Sequence, residues 1–428
     1  MRHRSPKYFK RTFYVSLLLI VLAGIGVVFA ARSDLYAHFF SRANDDQAYI
    51  YYTLKQPTGF VLARAPKGAN NQPLSAPQPV AQFGDGFGLA ESDTVLSMQP
   101  SPDGRYLEID GSSSDVERVW MFDTQNMTLN LVPPAVMGNF LNWLPGGHTF
   151  LYRPMFPLGP GAPLDAGTWN PGLWEVDAAT GAHRNIDIHM PSAFLVDAAA
   201  SPDGMHIIYS TSVGLGMGSD TWFMKSDGSD LVHLFSLPAS AQSIAGLFTW
   251  SPNGTTIAYE RLSDSSTPFL SAGLWIMDSH GTQQRRLADT DGGHGYRPVW
   301  SPDDQQVAYV VRTNNQDRSA DLSVQALQSA IAVVNVTTGQ SELVATPNST
   351  GMQMNVNPQW AADSTSITFT AFNPINLVLG GTPRYWSASY CHPVGAVPCA
   401  CPREGSRCPS KPTVVPLTAP IQHVVAVG

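Results

Sequence analysis

The sequence predicts an all-β fold: a β-propeller of seven four-stranded blades, with six or eight as alternative counts, preceded by one N-terminal transmembrane helix. Three observations carry this expectation. A turn motif recurs along the chain, the same succession of short apolar segments follows each copy, and a long uncharged run follows a basic N-terminus. The composition agrees. Charged residues make up only 14% of the chain, while 36 Gly and 34 Pro suit a fold with many turns.

The motif is Ser101-Pro102-Asp103-Gly104, repeated as Ser201-Pro202-Asp203-Gly204, Ser251-Pro252-Asn253-Gly254 and Ser301-Pro302-Asp303-Asp304. Weaker copies are Leu144-Pro145-Gly146-Gly147 and Ala361-Ala362-Asp363-Ser364. Pro sets φ near −65°, Asp or Asn bonds backbone two residues on, and Gly accepts positive φ without steric cost. Each copy is therefore a hairpin turn. Asp304 still reaches the left-handed region, whereas Ser364 does so less readily, which makes the last copy the weakest.

Strand chemistry flanks the turns. Trp143, Trp250, Trp300 and Trp360 precede them, and β-branched or aromatic segments follow at 107–109, 150–152, 207–209, 257–259, 307–309 and 367–369. A third strand is expected at 119–123, 173–177, 221–225, 274–278, 331–335 and 385–389. Several of these end in a second turn, as in Asp177…Gly181, Asp278…Gly281 and Asn335…Gly339, and a fourth strand follows. Four short strands per unit of roughly 40–60 residues describe a propeller blade. No convincing helical period occurs after residue 48; the best candidate, 322–332, reads as part of a long loop.

The ends set the blade count. Residues 48–83 read as a unit lacking its first strand, and 421–427 as a lone strand that would complete it. Such closure removes sheet edges.

At the N-terminus, Arg2, Arg4, Lys7, Lys10 and Arg11 precede 19 uncharged residues, 13–31. That length spans a bilayer, and the positive-inside rule places the N-terminus in the cytoplasm. The expected organisation is a basic tail (1–12), a signal anchor (13–31), a linker (32–47) and an extracytoplasmic propeller (48–428). Cleavage near Ala30, giving a secreted chain, is the alternative. Beyond residue 31 stand 20 basic and 33 acidic residues, a formal net charge of −13 that disfavours nucleic acid as a partner.

Trp-Ser-Pro-Asp-Gly, an apolar strand, then Leu-Trp-x-x-Asp-x-x-Gly resembles the TolB-like propeller repeat, best at 250–281 and 300–303. The resemblance spans about 48–428. It implies a propeller that binds proteins or acts as a scaffold, although similar propellers also accompany hydrolase domains. This chain lacks the separate N-terminal domain of TolB and has the apolar run instead, which puts a Tol-Pal role in doubt.

The repeat assigns loops to faces. The tight turns lie on one face, and the long insertions 153–170 and 312–330 lie on the other, the expected binding face. The link Asp291-Gly292-Gly293-His294-Gly295-Tyr296-Arg297 is the leading ligand-binding candidate, through His294, Tyr296 and Arg297. Asn355, Asn357, Asp197 and Asn139 hold related positions in other blades. These groups are equally suited to bonding backbone and water within the channel. The loop 154–171 carries Met155, Phe156 and Trp169, a partner contact or a plug over its blade.

All four cysteines, Cys391, Cys399, Cys401 and Cys408, lie in the last unit. An even cluster in an exported chain predicts two disulfides, with three pairings open. A zinc site with His392, or free thiols, are the alternatives; the spacing C-x7-C-x-C-x6-C does not match paired knuckles. No nucleophile elbow, H-E-x-x-H, phosphate loop or dinucleotide fingerprint is present, so no catalytic residue, metal or cofactor is expected. The expected function is a membrane-anchored, non-enzymatic scaffold for a protein, peptide or small ligand. The alternatives are a lyase, lactonase or hydrolase with a site in the central channel, and a sensor ectodomain.

Overall fold

The computed structural model describes residues 39–42, 45–67, 74–90, 93–113, 116–132, 137–155, 172–190, 193–214, 216–265, 272–291, 296–361, 364–374, 384–390 and 414–416. These residues form seven four-stranded antiparallel sheets in chain order. The first holds β1–β4 (Phe39–Arg42, Asp45–Gln56, Gly59–Pro66, Gln78–Gln82) and the second β5–β8 (Thr94–Pro100, Tyr106–Ser113, Val116–Asp123, Thr128–Leu131). The third holds β9–β12 (Met137–Trp143, Thr149–Met155, Leu173–Asp177, His183–Ile186) and the fourth β13–β16 (Phe194–Ala200, His206–Ser212, Gly218–Lys225, Val232–Pro238). The fifth holds β17–β20 (Ser243–Trp250, Thr256–Ser263, Ala272–Asp278, Arg285–Thr290) and the sixth β21–β24 (Val299–Trp300, Gln306–Arg312, Ser329–Asn335, Ser341–Ala345). The seventh holds β25–β28 (Met354–Trp360, Ser366–Phe372, Arg384–Ser389, Val414–Pro416). Within each sheet the strands pair in sequence order.

The turns form by the chemistry of their residues. In the second sheet, Ser101 Oγ donates to Asp103 Oδ1 (2.6 Å) and accepts from the Tyr106 amide (2.9 Å), while the Gly104 amide donates to Ser101 O. The same hydroxyl contacts recur at Ser201, Ser251 and Ser301, all buried. One serine thus satisfies two groups that the turn would otherwise leave unpaired. The Ser201 hydroxyl, donating, and the Met205 amide hold the Asp203 carboxyl below the usual carboxylate range. The fourth position is left-handed throughout: φ is 71° at Gly104, Gly204 and Gly254, 62° at Asp304 and 58° at Ser364. Ser364 therefore completes its turn despite its side chain, with its amide donating to Ala361 O.

Strand alternation aims successive residues at the two neighbouring sheets. Counting from the first turn residue, position +8 faces the preceding sheet: Ile109, Tyr152, Tyr209, Tyr259, Tyr309 and Phe369. Position +7 faces the following one, as Leu151, Ile208, Ala258 and Ala308 do. Six apolar clusters join the seven sheets pairwise in this way. Between the first two, Phe87 and Trp120 lie 4.3 Å apart, and a Cβ at Gly111 would meet both rings under 3.0 Å. Four seams carry an indole tie as well. Trp143 Nε1 donates to Gln99 O (3.3 Å), Trp250 to Ala199 O (3.3 Å), Trp300 to Thr249 O (3.1 Å) and Trp360 to Val299 O (3.1 Å).

The first sheet corrects the expectation for its missing strand. The place beside β2 is taken by β1, Phe39–Arg42, from within the stretch read as linker. That is the place expected for 421–427, which lie outside the described residues. The run 13–31 lies outside them as well; among the described residues no helix is long and apolar enough to cross a membrane.

Replacing Trp360 by Phe keeps a ring in the seam but removes the donor to Val299. A loss of about 1–2 kcal/mol is expected, read as a lower denaturant midpoint at unchanged slope. Gly111→Ala is expected to cost about 1–3 kcal/mol, because two packed rings must move.

Candidate functional site where the first strands converge

First strands of consecutive sheets from the third to the seventh touch one another, so these edges face a common interior. Second-strand residues at position +9 reach toward this interior and across to the next sheet. Ser210 Oγ donates to Ala245 O (2.7 Å), and Arg153 Nη1 donates to Val196 O (2.9 Å) and Leu195 O (3.3 Å). Asp110 and Glu260 hold the same position in the second and fifth sheets.

Asp197 and Arg297, both sequence candidates, come together across 100 residues. Arg297 Nη2 donates to Asp197 Oδ1 (2.8 Å) and Nη1 to Asp197 Oδ2 (3.3 Å). Asp197 Oδ2 also accepts from the Phe248 amide (2.8 Å), and Arg297 Nη1 donates to Phe248 O. Three consecutive sheets are therefore tied at one carboxylate. The β-bulge at Val196 turns Asp197 into this position. The Asp197 side chain is 7% exposed and that of Arg297 31%, so Arg297 is the partner that solvent reaches.

The other candidates are dispersed. Asn139 Oδ1 accepts from Arg153 Nη2 (2.6 Å) and Nε (3.1 Å). Asn355 is fully buried; its amide donates to Ser329 O and Met352 O and accepts from Thr350 Oγ1, leaving nothing for a ligand. Its side chain ties the loop before β25 to Ser329 of the sixth sheet. Asn357, with φ 54°, occupies a bulge in β25. Tyr296 packs against the cluster between the sixth and seventh sheets. His294 and its flanking glycines lie outside the described residues, as do Cys391, Cys399, Cys401 and Cys408.

Sequence reasoning missed the acids. Glu108 is 0% exposed, and neither carboxyl oxygen has a partner within ordinary hydrogen-bonding geometry. Burial pushes it well above the usual carboxylate range; Asp110 adds to the push and the Gln99 backbone opposes it. Asp110 is raised likewise, by burial and then by Glu117, against the Arg153 guanidinium and the Phe140 backbone. Glu260 is raised by burial, although Thr290 Oγ1 donates to it (3.0 Å). One signal was available: Glu108 is the only charged residue among the repeats at position +7. In all three the raised value favours the protonated carboxyl over the free carboxylate. Among the described residues, no group of three or more His, Cys, Asp or Glu is placed to hold a metal ion.

On the long-loop face, the insertion 312–330 is ordered. Arg312, buried, donates to Asp321 Oδ1 (2.7 Å) and Asp317 O (2.8 Å), and two 3₁₀ turns, Arg318–Asp321 and Val324–Ala326, follow. Asn314 closes its base onto Ala326 O and the Gln328 amide. The same face exposes Leu89, Phe194, Val213, Met217 and Leu322.

No protein-family profile matches the chain, and no curated protein matches it. Solved structures do. An oligogalacturonate lyase from Vibrio parahaemolyticus is 10% identical, covers 83% of this chain and 96% of its own, and superposes with a TM-score of 0.51. An oligogalacturonate lyase in complex with manganese gives 13%, 83%, 96% and 0.49. TolB from Acinetobacter baumannii gives 17%, 68%, 62% and 0.43. The sheet order together with the first likeness defines the chain as a β-propeller protein. Identities this low establish the fold alone.

Asp197→Ala leaves the Phe248 amide without its acceptor and Arg297 with its bond to Phe248 O. A loss of about 1.5–3 kcal/mol is expected by denaturant titration. In the double variant Asp197→Ala/Arg297→Ala the two losses should fall short of additive, since one interaction is removed twice.

Proposed function

We propose that this chain is a non-enzymatic scaffold of seven blades, held outside a cytoplasmic membrane by its N-terminal anchor, that docks a protein partner on its long-loop face. One observation carries the reading: large apolar side chains stand exposed at the long-loop end of the fourth sheet, where Phe194, Val213 and Met217 lie at the tip of β13 and in the loop joining β14 to β15. Grouped exposed apolar residues mark contact surfaces more often than chance exposure does. The polar groups nearby are committed elsewhere. Asp197, Arg153 and Asn355 hold the sheets and loops in place, which gives a stiff frame rather than a set of free catalytic groups.

The supporting loop is held in shape. The Gly218 amide donates to Asp264 Oδ2 (2.8 Å) of the next sheet, and Ser212 Oγ donates to Gly218 O (2.7 Å). A rigid loop gives up little conformational entropy on binding.

Met205 and Met217 lie at opposite ends of β14 with similar exposure, 57% and 55%. A photo-crosslinking residue placed at each, in membranes containing the full chain, separates the two faces. A discrete protein adduct is expected from position 217 and not from 205. Equal adducts from both, or none from 217, would overturn the reading.

A further inference from the structure

We propose that the seam between the second and third sheets is a proton-held joint, closed while Glu108 and Asp110 carry protons and loosened when rising pH ionises them. The proposal does not depend on what the propeller binds. It rests on which groups share the seam. Glu108 and Asp110 lie two residues apart on β6 and face the third sheet, opposite to Leu107 and Ile109, which pack toward the first.

Four neighbouring strands bring groups to them. From β5 comes the Gln99 backbone; from β7, Glu117; from β9, the Phe140 backbone and Asn139; from β10, Tyr152 and Arg153. Three carboxyls thus face one guanidinium. That guanidinium is already committed to Asn139 Oδ1, Leu195 O and Val196 O. Ionisation of Glu108 and Asp110 would set two buried negative charges against that one guanidinium, with neither Glu108 oxygen holding a hydrogen-bond partner among the described residues. Charges placed in such surroundings are costly, so the seam has either to keep its protons or to open to water.

Linkage fixes the sign. Burial raises both carboxyls above their unfolded values, so their contribution to the closed seam is complete below about pH 4. It fades as pH rises through the raised folded values. Closure therefore weakens toward alkaline pH, opposite to the behaviour of a salt-bridged carboxylate.

The protein contains its own probe and its own control. The Trp143 indole donates to Gln99 O within this seam, and Gln99 is the register partner of Glu108 on β6. The Trp360 indole makes the equivalent tie to Val299 O between the sixth and seventh sheets. There the residues corresponding to Glu108 and Asp110 are Ala308 and Val310, both in the apolar cluster. Asp103, Arg105, Tyr106 and His148 lie at the turn end of the acid seam and remain in every variant, so a response due to them would persist.

The experiment measures indole N–H exchange by NMR on the tryptophan-labelled full chain, as the ratio of Trp143 to Trp360. The ratio cancels base catalysis common to both. It is followed from about pH 7.5 to 9.5, above the free-imidazole range and below that of ordinary tyrosine. In the unaltered protein the ratio is expected to rise, by up to about tenfold per pH unit for each proton released on opening. Glu108→Gln, which mimics the protonated form, is expected to reduce that slope, and Glu108→Gln/Asp110→Asn to abolish it. Should the double variant not fold, the single one decides, with unchanged Trp360 protection reporting that it is intact. A ratio that stays constant in the unaltered protein, or a Glu108→Gln slope equal to it, would overturn the proposal.

Discussion

In four seams the indole N–H of a tryptophan, one residue before a tight turn, donates to a carbonyl of the preceding sheet. That bond shows the constraint on which the rest of the structure depends. A four-stranded sheet cannot bury both faces alone, so each must present complementary surfaces to two neighbours at once. The apolar clusters supply most of the contact, but they are non-directional. The indole bond adds direction. It sets how far one sheet is rotated against the next, because the donor and its carbonyl must meet near 3 Å.

The buried serine of the turn serves the same end. By bonding the Asp or Asn side chain and the amide of the second strand, it holds the tryptophan immediately before it, Trp250 or Trp300, at the same height in the fifth and sixth sheets. A second tier of ties then forms nearer the interior, where position +9 meets the first strand of the next sheet. The tier is chemically varied. Serine and arginine donate there, while aspartate and glutamate stand there buried, with proton affinity raised by desolvation. A repeat that keeps its turn constant can vary this position because the turn already fixes the geometry. Asp197 and Arg297 extend the principle over three sheets.

Function is bounded by the same economy of polar groups. Among the described residues, Asp197, Asn139 and Asn355 are engaged in ties, and Glu108, Asp110 and Glu260 are buried with raised proton affinity. The long-loop face exposes Leu89, Phe194, Val213, Met217 and Leu322, on loops tied by Asp264 and Arg312.

Sequence by itself determined the local structure of this protein: the turns, the strands and their succession, because proline, aspartate and glycine dictate backbone angles within four residues and alternation dictates which side chains are buried. Even the turn at Ser364, which looked doubtful, formed, since the strands on either side impose it. Tertiary structure decided what depends on separation. The partner of Asp197 lies 100 residues away, and nothing local marks Arg297 as that partner. Asn355 looked available from sequence and is consumed by its own loop. The strand beside β2 is Phe39–Arg42, although the pattern there is too short to read as a strand before its pairing is seen. Glu108 is a common residue in a strand; only the packing of the third sheet against it removes the water and gives it a raised affinity for its proton.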